Sequence, residues 1–110
     1  YLNAREILSH LPQEHYPAQR LACELYIESG VRAMERGIVS AGREPEGDEH
    51  RPELELVRLT IPRRVYTQSH LDVVSEACAR VCLRAHEIFG LQMTYEPESL
   101  RFFQAHFAPL

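Results

Sequence analysis

Seven small or apolar residues, Leu71, Val74, Ala77, Cys78, Val81, Ala85 and Ile88, recur at three- and four-residue intervals. That is the spacing of one buried face of an α-helix, and it is the longest periodic run in the chain. Thr67 or Ser69 is positioned to cap this helix, with Asp72 three residues after Ser69 in a capping-box-like spacing. Gly90 is the expected stop. Just upstream, Leu54–Ile61 is an apolar, β-branched run with a strand's character, closed by Pro62, which cannot donate to a sheet ladder. A long amphipathic helix beside an extended segment already points to a helix packed on a sheet.

The remaining segments extend this pattern. Asn3–Ser9 reads as a short helix with Asn3 as N-cap and Ile7 and Leu8 turned inward. Pro12 and Pro17 bracket a loop, and a second helix is expected over Ala18–Ser29, with Leu21, Leu25 and Ile27 on its apolar side and Gly30 as its stop. Val31–Val39 suggests a strand, Gly42–Pro52 a charged loop, and Leu91–Tyr95 and Leu100–Phe107 two further strands. The expected architecture is α+β: one small, mainly antiparallel sheet packed with two main helices.

The chain has 110 residues, enough for one core, so residues 1–110 are read as a single unit. Its formal net charge of −4 argues against general nucleic-acid binding. No segment has the apolar run of a membrane span, and the N-terminus lacks the pattern of a signal peptide. The opening Tyr1-Leu2-Asn3 reads as a chain entered partway through, so a fragment is expected. Three cysteines without a disulfide-framework spacing suggest reduced thiols and a cytoplasmic setting. All 12 basic residues are arginine. With no lysine, this chain cannot form a Schiff base with pyridoxal phosphate, although its arginines can grip anions.

Arg58 is the most informative of these arginines. It falls in mid-strand between Val57 and Leu59, where a guanidinium loses hydration and must find a partner. Its planar fork matches a carboxylate, either on a substrate or on a Glu or Asp across the sheet. Arg36, between Glu35 and Gly37, is placed to reach into a site or to pair with Glu35. Arg63 and Arg64 suit a phosphate or simple solvation. Cys78, Cys82 and His86 share a helix face and are zinc-compatible types, but one helix rarely supplies three ligands to one ion. Phe102 and Phe103, adjacent in an expected strand, would face opposite sides.

The stretch Leu56-Val57-Arg58-Leu59-Thr60-Ile61-Pro62-Arg63-Arg64-Val65-Tyr66-Thr67-Gln68-Ser69-His70 resembles the β-eliminating lyases, a pyridoxal-phosphate-dependent family. The resemblance extends through Glu24-Leu25-Tyr26, Gly30-Val31-Arg32 and Glu35-Arg36-Gly37-Ile38-Val39, then Tyr95-Glu96-Pro97 and Leu100-Arg101-Phe102-Phe103. It weakens over Arg43–Pro52 and after Phe103. It implies the C-terminal small-domain part of a fold-type-I pyridoxal-phosphate enzyme. Such enzymes are cytoplasmic homotetramers that need a monovalent cation such as potassium and split an aromatic amino acid into the aromatic, pyruvate and ammonia.

By the same resemblance, Arg58 matches the arginine that binds the substrate α-carboxylate. Arg36 matches the residue that contacts the phenol in members acting on L-tyrosine, where members acting on L-tryptophan look apolar. Phe102 and Phe103 match an aromatic pair that shapes the ring pocket. In the family the cofactor-binding lysine, phosphate loop and cation ligands lie N-terminal to this region. The resemblance therefore implies that this chain carries no catalytic, cofactor or metal residue, supplies substrate contacts only, and is inactive without the remainder of the lyase. The competing expectations are tryptophan as substrate, a free-standing interaction module that has lost catalysis, and a zinc module on Cys78, Cys82 and His86.

Overall fold

The computed structural model describes all 110 residues. The chain runs through β1 (Leu2–Asn3), α1 (Ala4–Ile7), α2 (Pro17–Ser29), β2 (Met34–Arg36), α3 (Ile38–Ala41), β3 (Leu56–Arg58), α4 (Gln68–Leu83), β4 (Leu91–Tyr95), α5 (Arg101–Gln104) and β5 (His106–Pro109). Single turns of 3₁₀ helix cover Gln13–His15 and Ala85–Glu87. The α+β class is as expected, but the strands form two antiparallel sheets where one was expected. One has the order β1-β3-β2, and the other is the β4-β5 pair.

The core lies where α2 packs on the inner face of the three-stranded sheet and α4 packs against α2. Leu8, Leu21, Leu25, Val57, Ala77 and Val81 are fully or almost fully buried there. Pro17 opens α2, where its missing N–H costs nothing, and Gly30 closes it in the left-handed conformation at φ 72°. Ile27 does not belong to the apolar side as expected; it is exposed. Two residues turn a helix by about 200°, so Ile27 faces away from Leu25. The outer edge of the α2–α4 contact is tied by ion pairs. Arg84 reaches Glu24 at 2.6 Å and Glu28 at 3.1 Å, and Arg80 reaches Glu28 at 2.6 Å.

Thr67 caps α4 as expected, but its partner is His70. The His70 Nδ1 accepts the Thr67 backbone N–H at 3.0 Å, and the Thr67 hydroxyl accepts the His70 N–H at 3.5 Å. The Ser69–Asp72 spacing is not used for capping; Asp72 accepts from the Gln68 amide instead. Gly90 is not the stop of α4, which ends at Leu83 and gives way to a 3₁₀ turn. A Cβ on Gly90 would lie 2.5 Å from His15 Cβ, so glycine is needed there for close packing.

Two of the expected strands were misread. Only Met34–Arg36 of Val31–Val39 is extended, because Ile38 begins α3. Leu100–Phe107 is not a strand: Leu100 at φ 56° starts the turn of α5, and the pairing with β4 begins at His106. Phe102 and Phe103 therefore sit on a helical turn, with rings edge-to-face at 4.9 Å, and not on opposite faces of a strand.

Candidate functional site

The register of the three-stranded sheet decides which side chains share a face. Met34 pairs with Arg58, Glu35 with Val57 and Arg36 with Leu56, all antiparallel. Opposed residues point to the same side and successive residues alternate. Glu35 and Val57 thus face the core, and both are buried. Met34, Arg36, Leu56 and Arg58 occupy the opposite face. Arg36 and Arg58 are diagonal neighbours across β2 and β3, a relation that places the two residues about 7–8 Å apart.

Arg58 is half-buried and has no acidic partner. Its Nη2 lies 2.8 Å from Met34 Sδ, a weak acceptor, and its Nε is buried without any hydrogen bond. The ion pair across the sheet that the mid-strand position allowed is absent, since the residue opposite is Met34. A desolvated guanidinium with unused donors is a receptor for a planar anion.

Arg36 is exposed and does not pair with Glu35, whose carboxylate lies on the other face and accepts the Val39 and Ser40 N–H groups. The Arg36 Cζ instead lies 5.6 Å from the Phe102 ring centroid, a cation–π contact. Phe102 is half-buried against Phe103, which is 74% exposed. The structure thus puts Arg36 and Arg58 on one face of the sheet and Phe102 against Arg36, while Phe103 is exposed.

Sequence reading missed the anchor of α5. Arg101 is buried, with Nη2 at 2.8 Å from Glu49 and Nη1 at 3.1 Å from Glu96. Arg43 joins the same cluster, 2.6 Å from Glu96. These bonds tie the Gly42–Pro52 loop to the helical turn that carries Phe102. Hydrogen bonding from Arg43 holds the Glu96 carboxyl below the usual carboxylate range. A lowered folded-state value gives stability that is present above the unfolded value and is lost as the pH falls through the lowered one. Glu96→Gln is therefore expected to lower the thermal midpoint at neutral pH, with the gap from the parent closing below about pH 4. Melting curves across that range check this; a gap of constant size would contradict it.

Arg63 and Arg64 are exposed. Cys82 and His86 are also exposed, and no group of His, Cys, Asp or Glu side chains is placed to hold a metal ion. No helix is long and apolar enough to cross a membrane.

The chain is 62% identical over 108 residues to the tyrosine phenol-lyase of Nostoc punctiforme, covering 97% of this chain and 23% of that protein. The tyrosine phenol-lyase of Symbiobacterium sp. is 59% identical over 111 residues, covering 100% of this chain and 24% of the relative. That of Pasteurella multocida is 57% identical, covering 99% and 24%. The chain thus spans about a quarter of the length of the curated relatives it matches. Residues 4–77, which include both Arg36 and Arg58 and the whole three-stranded sheet after its first strand, match the family described as Beta-eliminating lyase. With two thirds of its residues inside that match, the chain belongs to the β-eliminating lyase family.

Proposed function

We propose that this chain is the C-terminal small-domain part of a pyridoxal-phosphate-dependent lyase that converts L-tyrosine and water to phenol, pyruvate and ammonia. It forms one wall of the substrate site and is inactive alone. The observation that carries this reading is the shared outer face of Arg36 and Arg58, two cations a diagonal apart, with Arg36 over the Phe102 ring. Tyrosine has a carboxylate at one end and a hydroxyl at the other, so two such groups can hold both ends.

In this reading Arg58 takes the α-carboxylate with its paired N–H donors, which is consistent with its lack of any acidic partner in the chain. Holding the carboxylate orients the bonds at Cα and lowers the entropic part of the barrier. Arg36 donates to the phenol oxygen and holds the ring as the bond from Cβ to the ring breaks. Phe102 flanks the ring, and Phe103 closes over it from the rim.

Pyridoxal phosphate, when bound, supplies the electron sink for the bonds at Cα. All 12 basic residues are arginine, so nothing in this chain can hold the cofactor covalently; that task, and binding of a monovalent cation such as potassium, falls to the rest of the lyase. A cytoplasmic homotetramer is the assembly we carry over from the family.

A free-standing module is the less favoured alternative. Ile61, Tyr66 and Val73 are exposed and line, with Val31, Leu59 and Leu71, a cavity of about 340 Å³. A contiguous apolar strip of this kind is expected where the remainder of the polypeptide packs, and would be a liability on a free domain.

The direct test is to supply the full-length protein with pyridoxal phosphate and potassium, then measure phenol from L-tyrosine beside indole from L-tryptophan. Phenol as the main product is expected. Indole as the main product would keep the lyase chemistry and overturn the role given to Arg36. Neither product would favour the non-catalytic module.

A further inference from the structure

The strand that carries Arg36 ends abruptly, and two buried carboxylates hold that ending. Glu55 and Glu35 are 0% and 2% exposed. Glu55 Oε1 accepts the Ile38 N–H at 2.9 Å and the Gln13 side-chain amide at 2.8 Å. Glu35 accepts the next two backbone donors, Val39 N–H at 3.1 Å and Ser40 N–H at 2.9 Å. The Ser40 hydroxyl donates back to the Gly37 carbonyl at 3.1 Å. Three successive N–H groups are thereby satisfied by acids supplied from β2 and from the residue just before β3. Between them, Gly37 makes room for the Glu55 carboxylate: a Cβ there would fall 2.2 Å from Glu55 Oε2 and 2.5 Å from its Cδ.

This arrangement is expensive as a mere helix cap. A Ser, Thr, Asp or Asn at the cap position would satisfy the same donors from the surface. Here two acids are buried side by side, and Glu55 Oε2 has no hydrogen-bond partner at all. Burial, with the nearby Glu55 charge adding to it, raises the Glu35 carboxyl above its usual range. Costly buried polar groups persist where they hold a geometry that function requires.

We propose that Glu55 is a positioning residue for Arg36, its carboxylate seated on Gly37 so that the backbone leaving Arg36 has one path and the guanidinium stays over Phe102. The proposal rests on the reading of Arg36 as the group that holds the phenol. On one side Arg36 is set by its ladder pairing with Leu56; on the other, by the turn that Glu55 clamps. Glu55 faces the core with Val57, so it does not itself reach the outer face where substrate would sit.

The test uses the full-length enzyme and two substrates, L-tyrosine and S-methyl-L-cysteine, which carries the same α-carboxylate but no ring. Misplacing a catalytic contact by about 1 Å can cost on the order of 10²-fold, so a loosened Arg36 is expected to cost about tenfold or more. Glu55→Ala should lower kcat/KM for tyrosine by that factor relative to S-methylcysteine. Glu55→Gln, whose amide oxygen can still accept from Ile38, should restore most of it. Gly37→Ala keeps Glu55 but pushes its carboxylate away, and should reproduce the tyrosine-selective loss even if Glu55→Ala fails to fold. Equal losses on both substrates, or no loss on either, would overturn the proposal. Arg36→Ala belongs in the same assay. If it is not tyrosine-selective, the reading of Arg36 itself fails. If it is selective and the Glu55 and Gly37 variants are not, only the positioning role fails.

Discussion

Arg58→Ala in the full-length protein is expected to lower kcat/KM for every amino acid it cleaves, whatever the leaving group. The α-carboxylate is common to all of them, and in this chain no side chain other than Arg58 offers it a desolvated fork with unused donors on that face. Truncating one partner of a buried, hydrogen-bonded charge pair costs about 2–5 kcal/mol, roughly thirtyfold to several thousandfold in a rate ratio. Arg58→Lys keeps the charge but loses the fork, so it should recover only part of the activity. The loss should be the same, within error, for L-tyrosine and S-methyl-L-cysteine. A variant that lost tyrosine cleavage alone would assign Arg58 to the ring and remove it as the carboxylate anchor. Thermal unfolding should change little, because Arg58 makes no ion pair that its removal would break.

Arg36→Ala is expected to produce the opposite pattern. Removing one donor aimed at developing negative charge typically costs on the order of 10²–10³-fold. That loss should appear with L-tyrosine, whose phenol oxygen Arg36 is proposed to hold, while S-methyl-L-cysteine is turned over at close to the parent rate. A site built to hydrogen-bond a hydroxyl also discriminates against the analogue that lacks one, so the parent's preference for tyrosine over phenylalanine analogues should shrink in the variant. Equal losses on the two substrates would remove Arg36 from ring recognition. The cation–π contact with Phe102 holds the Arg36 guanidinium beside an aromatic surface without neutralising it.

Several features were legible in the residues themselves. The period of Leu71 through Ile88 announces the helix that packs against α2, and Pro17 and Gly30 bracket α2 because one lacks an N–H and the other tolerates positive φ. The alternation of Leu56, Val57 and Arg58 places Val57 inward and Arg58 outward. It also signals that Glu55 shares the face of Val57, a carboxylate turned toward the core, although that signal was not drawn from the sequence. Resemblance to the lyases singled out Arg58, Arg36, Phe102 and Phe103; the sheet register puts Arg36 and Arg58 on one face, and Arg36 lies over Phe102.

What failed was reading local pattern where long-range contacts prevail. Ile38 and Val39 are β-branched and suggest a strand, yet Glu55 and Glu35 satisfy the N–H groups at 38, 39 and 40 and turn the chain into α3. Leu100–Phe107 alternates like a strand, yet Arg101 is held by Glu49 and Glu96, and the segment coils before it reaches β4. In both cases one deciding partner lies far away in sequence: Glu55 is 17 residues from Ile38, and Glu49 is 52 from Arg101. The sequence by itself determined the α+β class, the two main helices and the chemical types available at the site. Only the tertiary structure decided that the sheet splits in two, that Arg58 has no carboxylate opposite it, and that Arg36 lies over Phe102, because those outcomes depend on strand register and buried charge pairing between segments that no local period can specify.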